Sequence, residues 1–200
     1  MTLSPTSEFE KMLRDAGIEY IAGVDEAGRG PVAGPVTAAA VLMPAGDLIK
    51  NVRDSKLLSE RQRESVVEFV KEKALDFSVA HVPNETIDSV NILNATRLAV
   101  RKAIESLRIK PQVILIDGKF LNLKDWTCIS IVKGDSNVYS IAAASILAKT
   151  ARDAIMHSYA EEFPSYSFEK NKGYLTSEHL QAIRKHGFTP IHRMSFSITG

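Results

Sequence analysis

Tyr20-Ile21-Ala22-Gly23-Val24-Asp25-Glu26-Ala27-Gly28-Arg29-Gly30 opens as a compact apolar run and then turns acidic and glycine-rich. Tyr20 to Val24 reads as a strand, and Asp25 as the start of a polar turn. Pro35 to Met43, rich in Ala and Val and stopped by Pro44 and Gly46, reads as its neighbouring strand.

Working outward, Leu3 to Ala16 has the look of a short helix that Gly17 ends. Ser59 is an N-cap candidate for a helix over Glu60 to Lys73, with Val66, Val67, Phe69 and Val70 apolar. Asp76 to Val82 alternates as a third strand. Asn84 to Leu107 reads as one helix, with Ile87, Val90, Leu93, Leu98, Val100 and Ile104 as its buried stripe. Val113-Ile114-Leu115-Ile116 is an unbroken apolar strand, which implies cover on both faces, and it ends at Asp117-Gly118. Thr127 to Val132 is a fifth strand, followed by Lys133-Gly134-Asp135. Asn137 to Tyr159 is a long helix, and Ala142-Ala143-Ala144 lets it lie close to the sheet. After Pro164 come a loop, a short helix near Ser177 to Lys185, then Gly187 and an irregular tail. The expected fold is α/β: a mixed five-stranded sheet flanked by helices, with a small C-terminal helical extension over about 164–200.

Composition narrows the class. With 200 residues and 44% hydrophobic content, the chain can bury one sizeable core, so one domain over 1–200 is expected. No apolar run approaches the ~20 residues that a membrane span needs. Met1 to Glu10 is polar and acidic, unlike a signal peptide, and Cys128 is the single cysteine. A cytoplasmic monomer with no membrane partner is expected. The net charge of +1 does not advertise nucleic acid, although Lys170, Lys172, Arg184, Lys185 and Arg193 outnumber Glu169 and Glu178 from Tyr166 onward.

The glycines suggest nucleotide binding first. Gly28-Arg29-Gly30-Pro31-Val32-Ala33-Gly34 misses the dinucleotide spacing by one residue and leads into a strand, where that motif leads into a helix. No Gly-Lys-Ser/Thr phosphate loop is present. What remains is acidic. Asp25-Glu26 alone is ordinary for a polar turn. Asp117-Gly118 alone suits a hairpin turn, Asp135 a helix cap, and Asp153 an ion pair with Lys149 one turn earlier. Together, Asp25, Glu26, Asp117 and Asp135 lie at or just beyond the C-terminal ends of strands, where sites assemble in α/β sheets. Alternation would point Asp25 and Glu26 apart, so the glycines are expected to bend the chain and bring both to one point. Clustered carboxylates repel unless a cation joins them, and an all-oxygen set suits Mg²⁺ or Mn²⁺. Two such ions can assist phosphodiester hydrolysis. No His/Cys spacing suggests zinc.

These stretches resemble bacterial ribonuclease HII, the type 2 ribonuclease H family. The matching segments are Gly23 to Pro31, Asp54-Ser55-Lys56-Leu57-Leu58-Ser59, Ile116-Asp117-Gly118, Lys133-Gly134-Asp135-Ser136, and Ser140 to Lys149 with Arg152-Asp153. They continue through Gly173-Tyr174-Leu175-Thr176 with His179, then His186-Gly187 and His192-Arg193-Met194-Ser195-Phe196. The resemblance implies a ribonuclease H-like fold and an endonuclease acting on RNA–DNA hybrids and on ribonucleotides embedded in duplex DNA. It implies Asp25, Glu26, Asp117 and Asp135 as metal-binding acids, with Asp153 also fitting a fourth acid. Gly28-Arg29-Gly30 is similar to the family's reader of the ribonucleotide, Lys56 to a phosphate ligand, and Tyr174 to the tyrosine that packs on the sugar at the RNA–DNA junction. Ser136 and Arg193 join the candidate site, and His179, His186 and His192 are read as structural or phosphate-proximal. The related ribonuclease HIII carries an extra N-terminal domain and Gly-Thr-Gly where this chain has Gly28-Arg29-Gly30. The tail, Ser195 to Gly200, offers no sliding-clamp peptide. A catalytically silent nucleic-acid-binding module, the rival reading, would require a missing carboxylate, and all are present.

Overall fold

The computed structural model describes residues 5–46, 52, 59–118 and 123–197. Five strands form one mixed sheet: β1 (Ile21–Ala27), β2 (Val36–Leu42), β3 (Asp76–Val82), β4 (Val113–Asp117) and β5 (Cys128–Ile131), in the order β3-β2-β1-β4-β5. The first three strands pair antiparallel, while β1, β4 and β5 run parallel. The helices are α1 (Glu8–Asp15), α2 (Glu60–Lys73), α3 (Asn84–Val90), α4 (Ile92–Glu105), α5 (Gly134–Asn137), α6 (Tyr139–Glu162), α7 (Phe168–Asn171) and α8 (Ser177–His186). None among the described residues is long and apolar enough to cross a membrane.

Every residue of β2 is buried, and its side chains serve two cores by turns. Ala38, Ala40 and Leu42 pack with Val100 and Ile104 of α4, while Ala39 and Val41 pack with α2 and α6. The second layer is thin because backbone meets backbone. A Cβ on Gly23 would stand 2.1 Å from the carbonyl carbon of Ser140, so α6 rests directly on β1. The alanines at 142–144, all fully buried, continue that close approach. The expected cap of α2 is present as a capping box: the Ser59 hydroxyl accepts the Gln62 N–H at 3.3 Å, and Gln62 accepts the Ser59 N–H at 2.9 Å.

Four expected elements differ. The strand expected to end at Val24 continues to Ala27, because β2 stays paired as far as Ala27 beside Thr37. The turn therefore starts at Gly28. The single helix expected over Asn84 to Leu107 is two, broken at Asn91. Asn91 adopts φ 67° and ψ 164°, a strained conformation that ends α3, and its side chain accepts the Asn94 N–H to start α4 anew. The long helix begins at Tyr139, since Val138 is extended and buried, with the one-turn α5 before it. The loop expected after Pro164 holds a 3₁₀ turn at Pro164–Tyr166 and then α7. These pack with Ala33, Met156, Ile183 and Ile191, so the extension is fastened to the end of α6.

Candidate active site

Parallel pairing sets the acids side by side. Val24 of β1 lies beside Ile116 of β4, so Asp25 and Asp117 follow at the same level of neighbouring strands. Val24 and Ile116 face the α4 core, which by alternation turns both aspartates toward α6. Asp117 accepts the backbone N–H of Gly134 at 2.6 Å, which draws α5 and its buried Asp135 to the same edge. Glu26 points to the other side of the regular strand, yet it lines the same cavity because the sheet ends there. The expected bend between the two acids is thus not needed.

The cavity has a volume of about 320 Å³. Asp25, Glu26, Asp117 and Asp135 line it together with Gly28, Arg29, Gly30 and Tyr174. Burial pushes the Asp25 carboxyl well above its ordinary range, and the neighbouring Glu26 and Asp117 push it further, against a hydrogen bond from Ser145. Arg29, its side chain about half exposed, reaches back to the largely buried Glu26 at 3.0 Å.

Do these residues fit a divalent ion? Their donors are all carboxylate oxygens, and the mutual repulsion at Asp25 is what a cation would relieve. Among the described residues no three acids, histidines or cysteines converge closely enough to enclose an ion. A Mg²⁺-like ion takes one or two carboxylates and fills its other positions with water and substrate phosphate, so the fit rests on the all-oxygen donor set at this cavity.

The structure separates the remaining candidates. Tyr174 is 49% exposed at the cavity rim, with its ring edge 3.5 Å from where a Cβ on Gly30 would be. Lys56 lies outside the described residues. Ser136 turns its hydroxyl to Asp135 at 3.3 Å. Asp153 is buried and paired with Lys149 at 2.6 Å and with Arg63 at 3.4 Å, away from the cavity's lining. It anchors Lys149, which does line the cavity.

Arg193 is fully buried. Its guanidinium donates to the carbonyls of Gly28 (2.6 Å), Arg29 (3.1 Å), Pro31 (2.7 Å), Gly34 (2.9 Å) and Pro35 (3.1 Å). Arg193 thus belongs to the candidate site as a support of its loop: every donor direction is spent on the glycine-rich segment. Arg152 does the same from α6, donating to Ala33 and Pro35 of that loop and to Lys172. Burial holds the two guanidinium groups down, to about 9 for Arg193 and about 10 for Arg152, still charged at neutral pH. Gly28, at φ +90°, has no room for a side chain, since its Cβ would stand 2.1 Å from Arg152 Nε.

Ser145, Lys149 and Arg152 escaped the sequence reading as site residues, and all three line the cavity. Their spacing of four and then three places them on one face of α6, a signal that was available. His179 and His192 are buried structural groups, while His186 is exposed.

Known proteins share this sequence and fold. The family model described as Ribonuclease HII matches residues 22–199. Ribonuclease HII of Clostridioides difficile (strain 630) is 51% identical over 188 residues, covering 94% of this chain and 74% of that protein. Ribonuclease HII of Endomicrobium trichonymphae is 48% identical, covering 94% of this chain and 90% of that protein. Among solved structures, the ribonuclease H2 from Pyrococcus horikoshii OT3 superposes with a TM-score of 0.76 at 28% identity, covering 88% of this chain and 93% of that one. The PCNA:RNase HII complex from Archaeoglobus fulgidus gives 0.73 at 25%, covering 87% and 92%. The chain belongs to the ribonuclease HII family, metal-dependent ribonuclease H endonucleases that act on RNA–DNA hybrids.

Proposed function

We propose that this enzyme cuts on the 5′ side of ribonucleotides embedded in duplex DNA as well as within hybrids, leaving 3′-OH and 5′-phosphate ends, and so removes misincorporated ribonucleotides. Asp25, Glu26, Asp117 and Asp135 would hold two Mg²⁺ or Mn²⁺ ions. Bound there, the ions would supply activation of the attacking water and stabilisation of the leaving oxygen.

The chain's own residues supply orientation and choice. With the carbonyls of Gly28 and Arg29 held by Arg193, the peptide planes of the loop are fixed. Glycine there leaves the backbone open to a 2′-OH, the group that tells RNA from DNA. Tyr174 would pack on the neighbouring sugar, where a deoxyribose leaves room. Lys149, at the cavity wall, favours an approaching phosphate. The observation that carries the reading is the sharing of one cavity by four acids, the Gly28–Gly30 backbone and the Tyr174 ring.

The test is cleavage of four duplexes, carrying no, one or several ribonucleotides or a full RNA strand, in Mg²⁺ and in Mn²⁺, with product ends mapped. Cutting of the single-ribonucleotide duplex 5′ of the ribonucleotide is expected. An intact single-ribonucleotide duplex in both metals would overturn the proposal.

A further inference from the structure

Behind Tyr174 lies a pair of buried imidazoles whose proton positions the surrounding groups dictate. His192 Nδ1 accepts the backbone N–H of Thr189 at 2.9 Å and lies 2.8 Å from the Thr189 hydroxyl, which can donate to it as well, while the Thr189 carbonyl is farther at 3.3 Å; the fixed N–H donor assigns the neutral ring's proton to Nε2. His179 Nδ1 lies 2.9 Å from the carbonyl oxygen of Tyr174, an acceptor, so its proton sits on Nδ1 and its Nε2 is bare. The two Nε2 atoms are 3.0 Å apart, and the donor and acceptor left over match. One directed chain results: Thr189 N–H to His192, His192 to His179, His179 to the Tyr174 carbonyl. Adding a proton to either ring places two donors face to face.

The surroundings keep the rings neutral. His179 is 0% and His192 1% exposed. Tyr166 and Phe168 pack against both rings, and Phe188 packs against His192. Of the other titratable groups nearby, His186 meets Tyr166 on its tilted side, and Arg193 and Asp88 are engaged with the loop carbonyls and the Met194–Ser195 backbone. Burial and the facing His179 hold His192 down to about 4.

The chain of bonds leads further. The residue after His192 is Arg193, whose backbone N–H donates to Val32 at 2.8 Å and whose side chain holds Gly28 and Arg29. Tyr174 and the glycine loop, far apart in sequence, are therefore joined through His179, His192 and Arg193.

We propose that His179 and His192 are positioning residues, a neutral imidazole–imidazole strut that fixes Tyr174 against the Gly28–Gly30 loop and thereby sets the preference for RNA–DNA junctions over continuous hybrid. This rests on the sugar contact proposed for Tyr174. The first measurement is imidazole ¹⁵N NMR on the whole enzyme. It should show the Nδ1-H form at His179 and the Nε2-H form at His192, neither titrating between about pH 5.5 and 8, the window of an ordinary histidine. The opposite tautomer at either ring, or titration in that window, overturns the strut. The second is kinetic. His179→Leu should raise KM for a single-ribonucleotide duplex about tenfold with kcat on a long hybrid within about twofold, a positioning loss of the size that small misplacements cause. His179→Asn, which retains a donor to the Tyr174 carbonyl, should recover most of it. Equal losses on both substrates overturn the coupling, provided Tyr174→Ala separates the two. If Tyr174→Ala fails to separate them, the sugar contact itself falls, and the tautomers alone decide the strut.

Discussion

Asp117 accepts the backbone N–H of Gly134 at 2.6 Å, so the acid that ends β4 also anchors the turn that presents Asp135. One carboxylate thus has a structural task beside the metal-binding one proposed for it, and the two can be parted.

Asp117→Asn should do so. The Asn side-chain oxygen still accepts the Gly134 N–H, while the negative charge is gone. We expect cleavage to fall by about a thousandfold or more, in line with loss of a group that stabilises charge in the transition state, with the unfolding midpoint within a few degrees of wild type. Retained activity would remove Asp117 from the metal-binding set.

Asp25→Asn should make the metal-free protein more stable at neutral pH. The Asp25 carboxyl is raised in the fold by burial, then by Glu26 and Asp117. The folded state therefore holds its proton where the unfolded state has lost it, and stability falls as pH climbs from the unfolded value, ~4, through the folded one. Asparagine removes that loss. Thermal melts with EDTA should rank the variant above wild type at pH 7, and added Mn²⁺ should lift wild type more than the variant. The reverse ranking would contradict the repulsion.

Arg193→Met should unfasten the loop. It leaves the carbonyls of Gly28, Arg29, Pro31 and Gly34 without this donor, while Pro35 keeps Arg152, and each unsatisfied buried group costs about 1–3 kcal/mol before the loop relaxes. A net loss of roughly 3 kcal/mol or more is expected in urea unfolding. A loss under about 1 kcal/mol, the range of ordinary surface changes, would show that the guanidinium is not the fastener.

Gly28→Ala and Gly30→Ala should fail differently. At Gly28 a methyl strikes Arg152 and the Pro35 carbonyl in a left-handed conformation, so stability should drop by about 1–3 kcal/mol. At Gly30 the methyl meets only the Tyr174 ring at 3.5 Å, an ordinary contact. That variant should melt like wild type yet bind ribonucleotide-containing duplex poorly, because the methyl occupies the space between loop and ring. Unimpaired binding by Gly30→Ala would place the substrate elsewhere.

Much of this was legible in the sequence, for identifiable reasons. Unbroken apolar runs marked the strands, and acids at their ends marked the cavity edge, because parallel strands deliver equivalent positions to one side. Asn91 and Val138 were illegible as breaks, since neither is a Gly or Pro and each interrupts a helix through one residue's backbone angles. The supporting arginines were illegible for another reason. A buried arginine bonded only to carbonyls has no partner of opposite charge to betray it, and those carbonyls belong to every residue alike.

Arg193 and Gly28 are 165 positions apart. A chain emerging from the ribosome has made its acids and all five strands before the arginine that locks the glycine loop exists. Contacts so distant along the chain close late and slowly. On the roles proposed for them, the acids that would cut are synthesised before the fastener of the loop that would choose what to cut.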